Sequence, residues 1–255
     1  MRKIIKYILI DILKNKTLLG YTFLLLGISL TVLQLEDSTQ KGLLTLLNLA
    51  LYLVPLVTLT FSTTYIYNSA EFIEVLVSQP NQRNTIWIGL FWGLSLSFSI
   101  SFFLGIGIPV LFFIPFYLGI LFIGIGLSLC FVFVSLAMVV SVYTKDKAKG
   151  LGWSLLVWMG MSILFDGLLL FLTYQLSEYP IEKYMVGFVM LNPIDLARIA
   201  IILKLDISAI LGYSGALFQS YFGSTFGIAL SGISLLIWII LPLTLSLRKF
   251  RTKDL

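Results

Sequence analysis

Few residues of this chain could do chemistry, and their spacing rules most of it out. There is no histidine, and the one cysteine is Cys130. That removes disulfides within the chain, thiolate–imidazole metal clusters, Ser/His and Cys/His nucleophile pairs and zinc-protease sites. Soft-metal passage would need Cys, Met or His at ligand spacing. Met159 and Met161 are two residues apart and cannot share a helix face, and Met185 and Met190 are scattered, so no metal site is assigned. No Gly-x-x-x-x-Gly-Lys-Ser/Thr loop is present, which excludes nucleotide binding by the P-loop route. Catalytic residues are not predicted.

Three polar features remain. The first is Asp166, the one acid inside a long apolar run. It lies fifteen residues beyond Leu151, roughly 22 Å into a helix at 1.5 Å per residue. A charge there is expensive in lipid, so it either faces a hydrated cleft, pairs with a basic residue of the following segment, or is protonated. The second is Asn68–Pro80, which reads as a short helix: Asn68 at its cap, Glu71 in the first turn, Phe72, Val75, Leu76 and Gln79 as one stripe, and Pro80 as the stop. Its alternatives are a plain connector and, because exposed apolar residues imply a partner, a docking helix. The third is 173–224. There Asn192 caps a helix opened by Pro193 and Asp195, with Leu196, Ile199, Ala200 and Leu203 on one face. A second helix begins near Asp206 and runs through Gly212-Tyr213-Ser214-Gly215. This segment is either a gate over a pathway or a dock for a partner outside the membrane.

The elements that must position these residues are membrane helices. A hydrophobic fraction of 59% and a mean hydropathy of +1.02 exclude an ordinary soluble domain. Six runs could each cross a bilayer core of about 30 Å: Thr17–Leu35, Gly42–Tyr67, Ile86–Ile114, Leu118–Val142, Leu151–Leu172 and Thr225–Leu247. With the N-terminus inside, only Lys41, Lys183, Arg198 and Lys204 of the 17 lysines and arginines lie outside. The positive-inside rule therefore predicts both termini in the cytoplasm. The net charge of +5 follows helix ends facing anionic lipid, not a nucleic-acid surface.

Within residues 1–16, Ile4, Ile5, Ile8, Leu9 and Ile12 share a face opposite Arg2, Lys3, Lys6 and Lys14. This predicts an amphipathic surface helix; the alternative is an extension of the first span. The third span carries Gly89, Gly93, Ser97, Ser101 and Gly105 at every fourth position, a ridge that lets another helix approach closely. Its partner lies either in the same chain or in a second copy. Pro109 predicts a kink near the outer end. The fold expected is all-α: a single transmembrane domain over 1–255, with a surface helix at 1–16, a cytoplasmic loop at 68–85 and an extracytoplasmic helical segment at 173–224.

Six spans, an N-terminal surface helix and a helical first cytoplasmic loop resemble the permease subunits of ABC-2 (type V exporter-like) transporters. Members carry a Leu-Glu-x-Leu-Leu-Ser-x-Pro-like motif in that loop, and this chain has Ile73-Glu74-Val75-Leu76-Val77-Ser78-Gln79-Pro80 followed by Arg83. The family's acid at the end of the second span is not matched, since Tyr67-Asn68-Ser69 stands there. Within the class, Asp146–Gly152, Phe165-Asp166, Leu191–Arg198 and Leu211–Ala216 resemble the NosY-type permeases that mature the copper sites of nitrous oxide reductase.

The resemblance implies a coupling helix whose ATPase contacts are Glu71, Phe72, Glu74, Val75, Leu76, Ser78, Gln79, Pro80 and Arg83. It implies two copies of an ABC ATPase holding ATP and magnesium, a second copy of this chain, and a periplasmic β-helical NosD-like subunit. That subunit would meet Asn192, Pro193, Asp195, Arg198, Gly212, Tyr213 and Gly215. An ABC-2 exporter of lipid, glycan or peptide, and a scaffold without a transport cycle, are the alternative readings. They predict, respectively, an ATPase stimulated by amphiphiles and no ATPase partner at all.

Overall fold

The computed structural model describes residues 2–36, 38–79, 82–176, 187–202, 204 and 225–252. The described residues form helices α1 (Arg2–Leu13), α2 (Lys16–Leu35), α3 (Thr39–Asn68) and α4 (Ala70–Ser78). There follow α5 (Arg83–Phe113), α6 (Phe116–Tyr143), α7 (Lys147–Gln175), α8 (Pro193–Ile202) and α9 (Thr225–Arg251). Six helices are long and apolar enough to cross a membrane: α2, α3, α5, α6, α7 and α9. Each contains one of the runs read from hydropathy, save that α5 stops at Phe113, one residue short of the expected Ile114. Most helix ends reach past them because backbone amides in lipid need an internal partner through to the interface.

The bundle is built around α6, which packs against α3, α9, α5 and α8. It carries no charged residue, and Phe122, Cys130, Phe133, Val134 and Met138 are buried along it. The spans differ in enclosure: 56% of the apolar window of α3 and of α6 is buried, but only 6% of that of α7. Side chains such as Leu164, Leu170 and Phe171 of α7 point away from the protein, as lipid-facing residues do. Polar clips hold α7 on: Thr63 and Ser154 hydroxyls meet at 2.8 Å, and the Trp158 indole donates to the Tyr52 carbonyl at 3.1 Å.

Two spans contain a π-helical turn, and each has a chemical cause or consequence. In α5 the turn covers Phe103–Gly107, just before Pro109. The Gly105 carbonyl would receive its helical hydrogen bond from residue 109, but proline has no N–H. The Ser29 hydroxyl of α2 donates to it instead, at 2.7 Å. In α7 the turn covers Gly160–Leu164, and the Phe165 amide reaches back five residues to Gly160. The Met161 carbonyl, bypassed by that amide, accepts from the Asn192 side chain at 2.7 Å.

One end of the bundle gathers both described chain ends and most of the basic residues. There Trp87 of α5 stacks on Phe250 of α9, ring centroids 4.2 Å apart, and donates to the Ser246 hydroxyl at 3.0 Å. Arg251 donates to Asn84 at 2.7 Å. This basic end also carries α1 and α4.

Candidate coupling surface and inserted outer helix

At the basic end, α1 lies along α5. Ile8 and Ile12 are buried while Lys3, Lys6 and Lys14 are exposed, so the apolar face of its amphipathic pattern is covered by protein. The small-residue ridge is where it sits. A Cβ on Gly89 would come within 3.0 Å of Ile4, and one on Gly93 within 2.5 Å of Ile8. Farther along, a Cβ on Gly105 would meet Leu25 of α2 at 2.6 Å. Ser97 and Ser101 between them are buried, with Ser97 donating to the Gly93 carbonyl at 2.8 Å. Within this chain, the ridge is occupied by α1 and α2.

The loop helix α4 begins one residue after α3 ends. Asn68 is therefore not its cap: it is the last residue of α3, and its side-chain oxygen accepts from Lys147 at 2.8 Å. Ser69 takes the cap position without a side-chain hydrogen bond, because its φ of −96° and ψ of 11° lack the extended geometry of a capping residue. Glu71 is in the first turn.

The stripe read from the sequence also divides. Phe72 is half-buried and stacks on Tyr7 of α1 at 5.1 Å, and Leu76 packs against the core beside the buried Ile73. Helical spacing put these residues on one side but could not say that α1 would cover part of it. What α4 exposes is Ala70, Glu71, Glu74, Val75 and Ser78, with Val75 57% exposed, and Gln79 just past its end is exposed as well. Arg83, half-buried at the start of α5, donates to the Arg251 carbonyl at 3.3 Å. Pro80 lies outside the described residues. A cleft of about 290 Å³ opens beside α4, with Glu74 and Lys145 among its lining residues and Tyr67, Trp87 and Phe250 as aromatic walls. Asp11 of α1 accepts from the Tyr65 phenol at 2.9 Å, tying α1 to α3 as the Tyr7–Phe72 stack ties it to α4.

At the opposite end, α8 is inserted into the bundle and does not lie over it. It packs against α9, α6 and α3, and Pro193, Ile194, Asp195, Leu196, Ala197, Ala200 and Ile201 are all buried. A helix apolar around most of its circumference is buried on most sides, a pattern that Pro193–Ile202 shows once Asp195 and Arg198 are set aside. Asn192 accepts from the Ile194 amide at 3.1 Å, and its amide group donates to Met161 and to Asp195, each at 2.7 Å. Just before it, the Met190 carbonyl accepts from the Trp238 indole at 3.2 Å.

The partner of Asp166 is here. Arg198 places one terminal nitrogen 3.1 and 3.0 Å from the two Asp166 oxygens and 3.0 Å from Asp195. Burial first, and then the Asp166 carboxyl within hydrogen-bonding reach, raise Asp195 above its ordinary value, against the lowering effects of Arg198 and Asn192. Sequence reading singled out all four residues and offered a basic residue of the following segment as one of three fates for Asp166, without naming Arg198. The i,i+3 spacing of Asp195 and Arg198 was visible; the link to Asp166 crosses the chain. Gly212, Tyr213 and Gly215, and the helix expected from Asp206, lie outside the described residues.

Six apolar spans, a short helix at the basic end and a helix inserted from the other end define a polytopic helical membrane protein of the transporter type. A family model described as ABC-2 family transporter protein matches residues 26–255, and the chain belongs to that family. No curated protein matches it.

Proposed function

We propose that this chain is the membrane subunit of an ABC transporter in the cytoplasmic membrane, with both termini in the cytoplasm. Separate ATPase subunits bind ATP and magnesium, and two copies of the chain present two α4 helices to them. The observation that carries this reading is α4 itself. Its inner face is fixed to α1 and α5, while Glu71, Glu74, Val75 and Ser78 stand free at the basic end. A helix anchored on one side and exposed on the other can receive a push and pass it on as rigid-body movement.

The α1–α4–α5 unit would move on ATPase closure, and the spans would carry that movement to α8 and the segment beyond it. The finer reading follows the Asn192–Arg198 motif. The outer segment would pass the movement to an extracytoplasmic β-helical partner in copper-site maturation of nitrous oxide reductase. With no histidine and one cysteine, we favour mechanical transmission over metal passage through the spans.

Purification of the tagged chain from its native membrane in mild detergent, with mass spectrometry of what accompanies it, tests both levels. An ATPase with a β-helical extracytoplasmic protein is expected. An ATPase alone would remove the maturation reading and leave an ABC-2 exporter, and the absence of any ATPase would contradict the transporter reading.

A further inference from the structure

The cluster that joins α8 to α7 has more carboxylate than its one cation can satisfy. A single terminal nitrogen of Arg198, with two hydrogens, faces three oxygens: both of Asp166 and one of Asp195. The other Asp195 oxygen is taken by the Asn192 amide. Arg198 Nε is buried and makes no hydrogen bond. With both acids ionised the cluster carries a net charge of −1 beside a bundle core, an arrangement that low dielectric makes costly. One proton removes that charge and supplies a donor between the two carboxyls.

Among the described residues of the elements packed on α8, α6 has no Asp, Glu, Lys or Arg, α3 has only Lys41, α7 has Lys147 and Lys149 in its first turn besides Asp166, and α9 has only Arg248, Lys249 and Arg251 at the basic end. Their remaining titratable groups are tyrosines and the Cys130 thiol. Lys204 follows the end of α8. The side chains of Arg198 and Asp166 are 22% and 25% exposed, so water and protons reach the cluster.

We propose that Asp166, Asp195 and Arg198 form a proton-controlled latch that holds the inserted helix α8 against α7, closed while the carboxyl pair carries a proton and loosened when both acids are ionised. The sign follows from linkage. A carboxyl whose value is raised in the closed state stabilises that state fully below the ordinary carboxylate range. The contribution is lost as pH rises through the raised value. Acidity outside the membrane would then keep α8 seated. The latch requires no ATPase, so it stands or falls apart from the transporter reading.

The test is a distance between spin labels at L170C and L191C, both positions well exposed, in a C130S background. The full chain is held in lipid nanodiscs from about pH 4.5 to about pH 8.5, a range that starts just above the ordinary aspartate value of about 3.9 and runs well past it. A short-distance population that falls as pH rises is expected. Asp195→Asn, which keeps the shape and removes the titration, should hold the short distance at every pH. Asp166→Asn, which takes away the charge on α7, should weaken it at every pH. A parent distribution constant across the range would overturn the latch on its own, even if a variant failed to fold. So would an Asp195→Asn variant that kept the parent's pH response.

Discussion

At Gly105 and at Met161 a carbonyl bypassed within its own helix is answered by a side chain from another. The first pairing makes a stability prediction. Ser29→Ala leaves the Gly105 carbonyl unpaired in a buried site, at a cost of about 1–3 kcal/mol. The melting temperature in detergent should fall, and Pro109→Ala in the same chain should recover part of the loss by restoring an amide donor. A Ser29→Ala protein that melts like the parent would remove the role given to this bond. Arg198→Met should destabilise more, since it strands two carboxyls, and adding Asp166→Asn should partly rescue it; the same melts check this. Local chemistry of this kind was legible where its partners are neighbours: Asn192, Pro193 and Asp195 read as a helix start without a structure. Ser29 with Gly105 was not, and for Asp166 a basic partner in the following segment was one of three options, because nothing in spacing singles out Arg198 from that distance along the chain.

Among the elements, α1 shows what periodicity can and cannot say. Its two faces were plain from Ile8, Ile12 and the lysines, but not that the apolar face would land on Gly89 and Gly93. Gly93→Leu should therefore displace α1, because even a Cβ there overlaps Ile8. Limited proteolysis should then cut near Lys14 and Lys16 faster while the spans remain intact, whereas an unchanged cleavage rate would mean that α1 is held elsewhere. The same covering explains why the α4 stripe was misread: Phe72 and Leu76 serve the protein's own packing, and Val75 is the apolar residue left outside. Arginine at Val75 should weaken ATPase binding without loss of stability, while arginine at Leu76 should cost stability as well. Co-purification yields and melting temperatures of the two variants separate those effects.

For the molecule as a whole, hydropathy and charge carried most of the information, because a bilayer leaves a chain few ways to satisfy its backbone. The six spans, and the gathering of basic residues at one end, follow from that constraint. The insertion of α8 does not: Pro193–Ile202 reads as a helix but is too short to span, and its polar surroundings in the sequence place it in an outer segment. Its burial appears only once α3, α6 and α9 leave a space for it. If the basic end is cytoplasmic, S38C should react with an impermeant thiol reagent added to intact cells and K147C should not; the reverse pattern would invert the topology.

The most direct test of the coupling surface is a photo-activated cross-link from V75C, in a C130S background, in membranes that contain the assembled transporter. The account predicts that the cross-linked peptide belongs to the ATPase subunit and that the yield changes when ATP is added. An ATPase that co-purifies normally while position 75 reaches only lipid or this chain itself would contradict it.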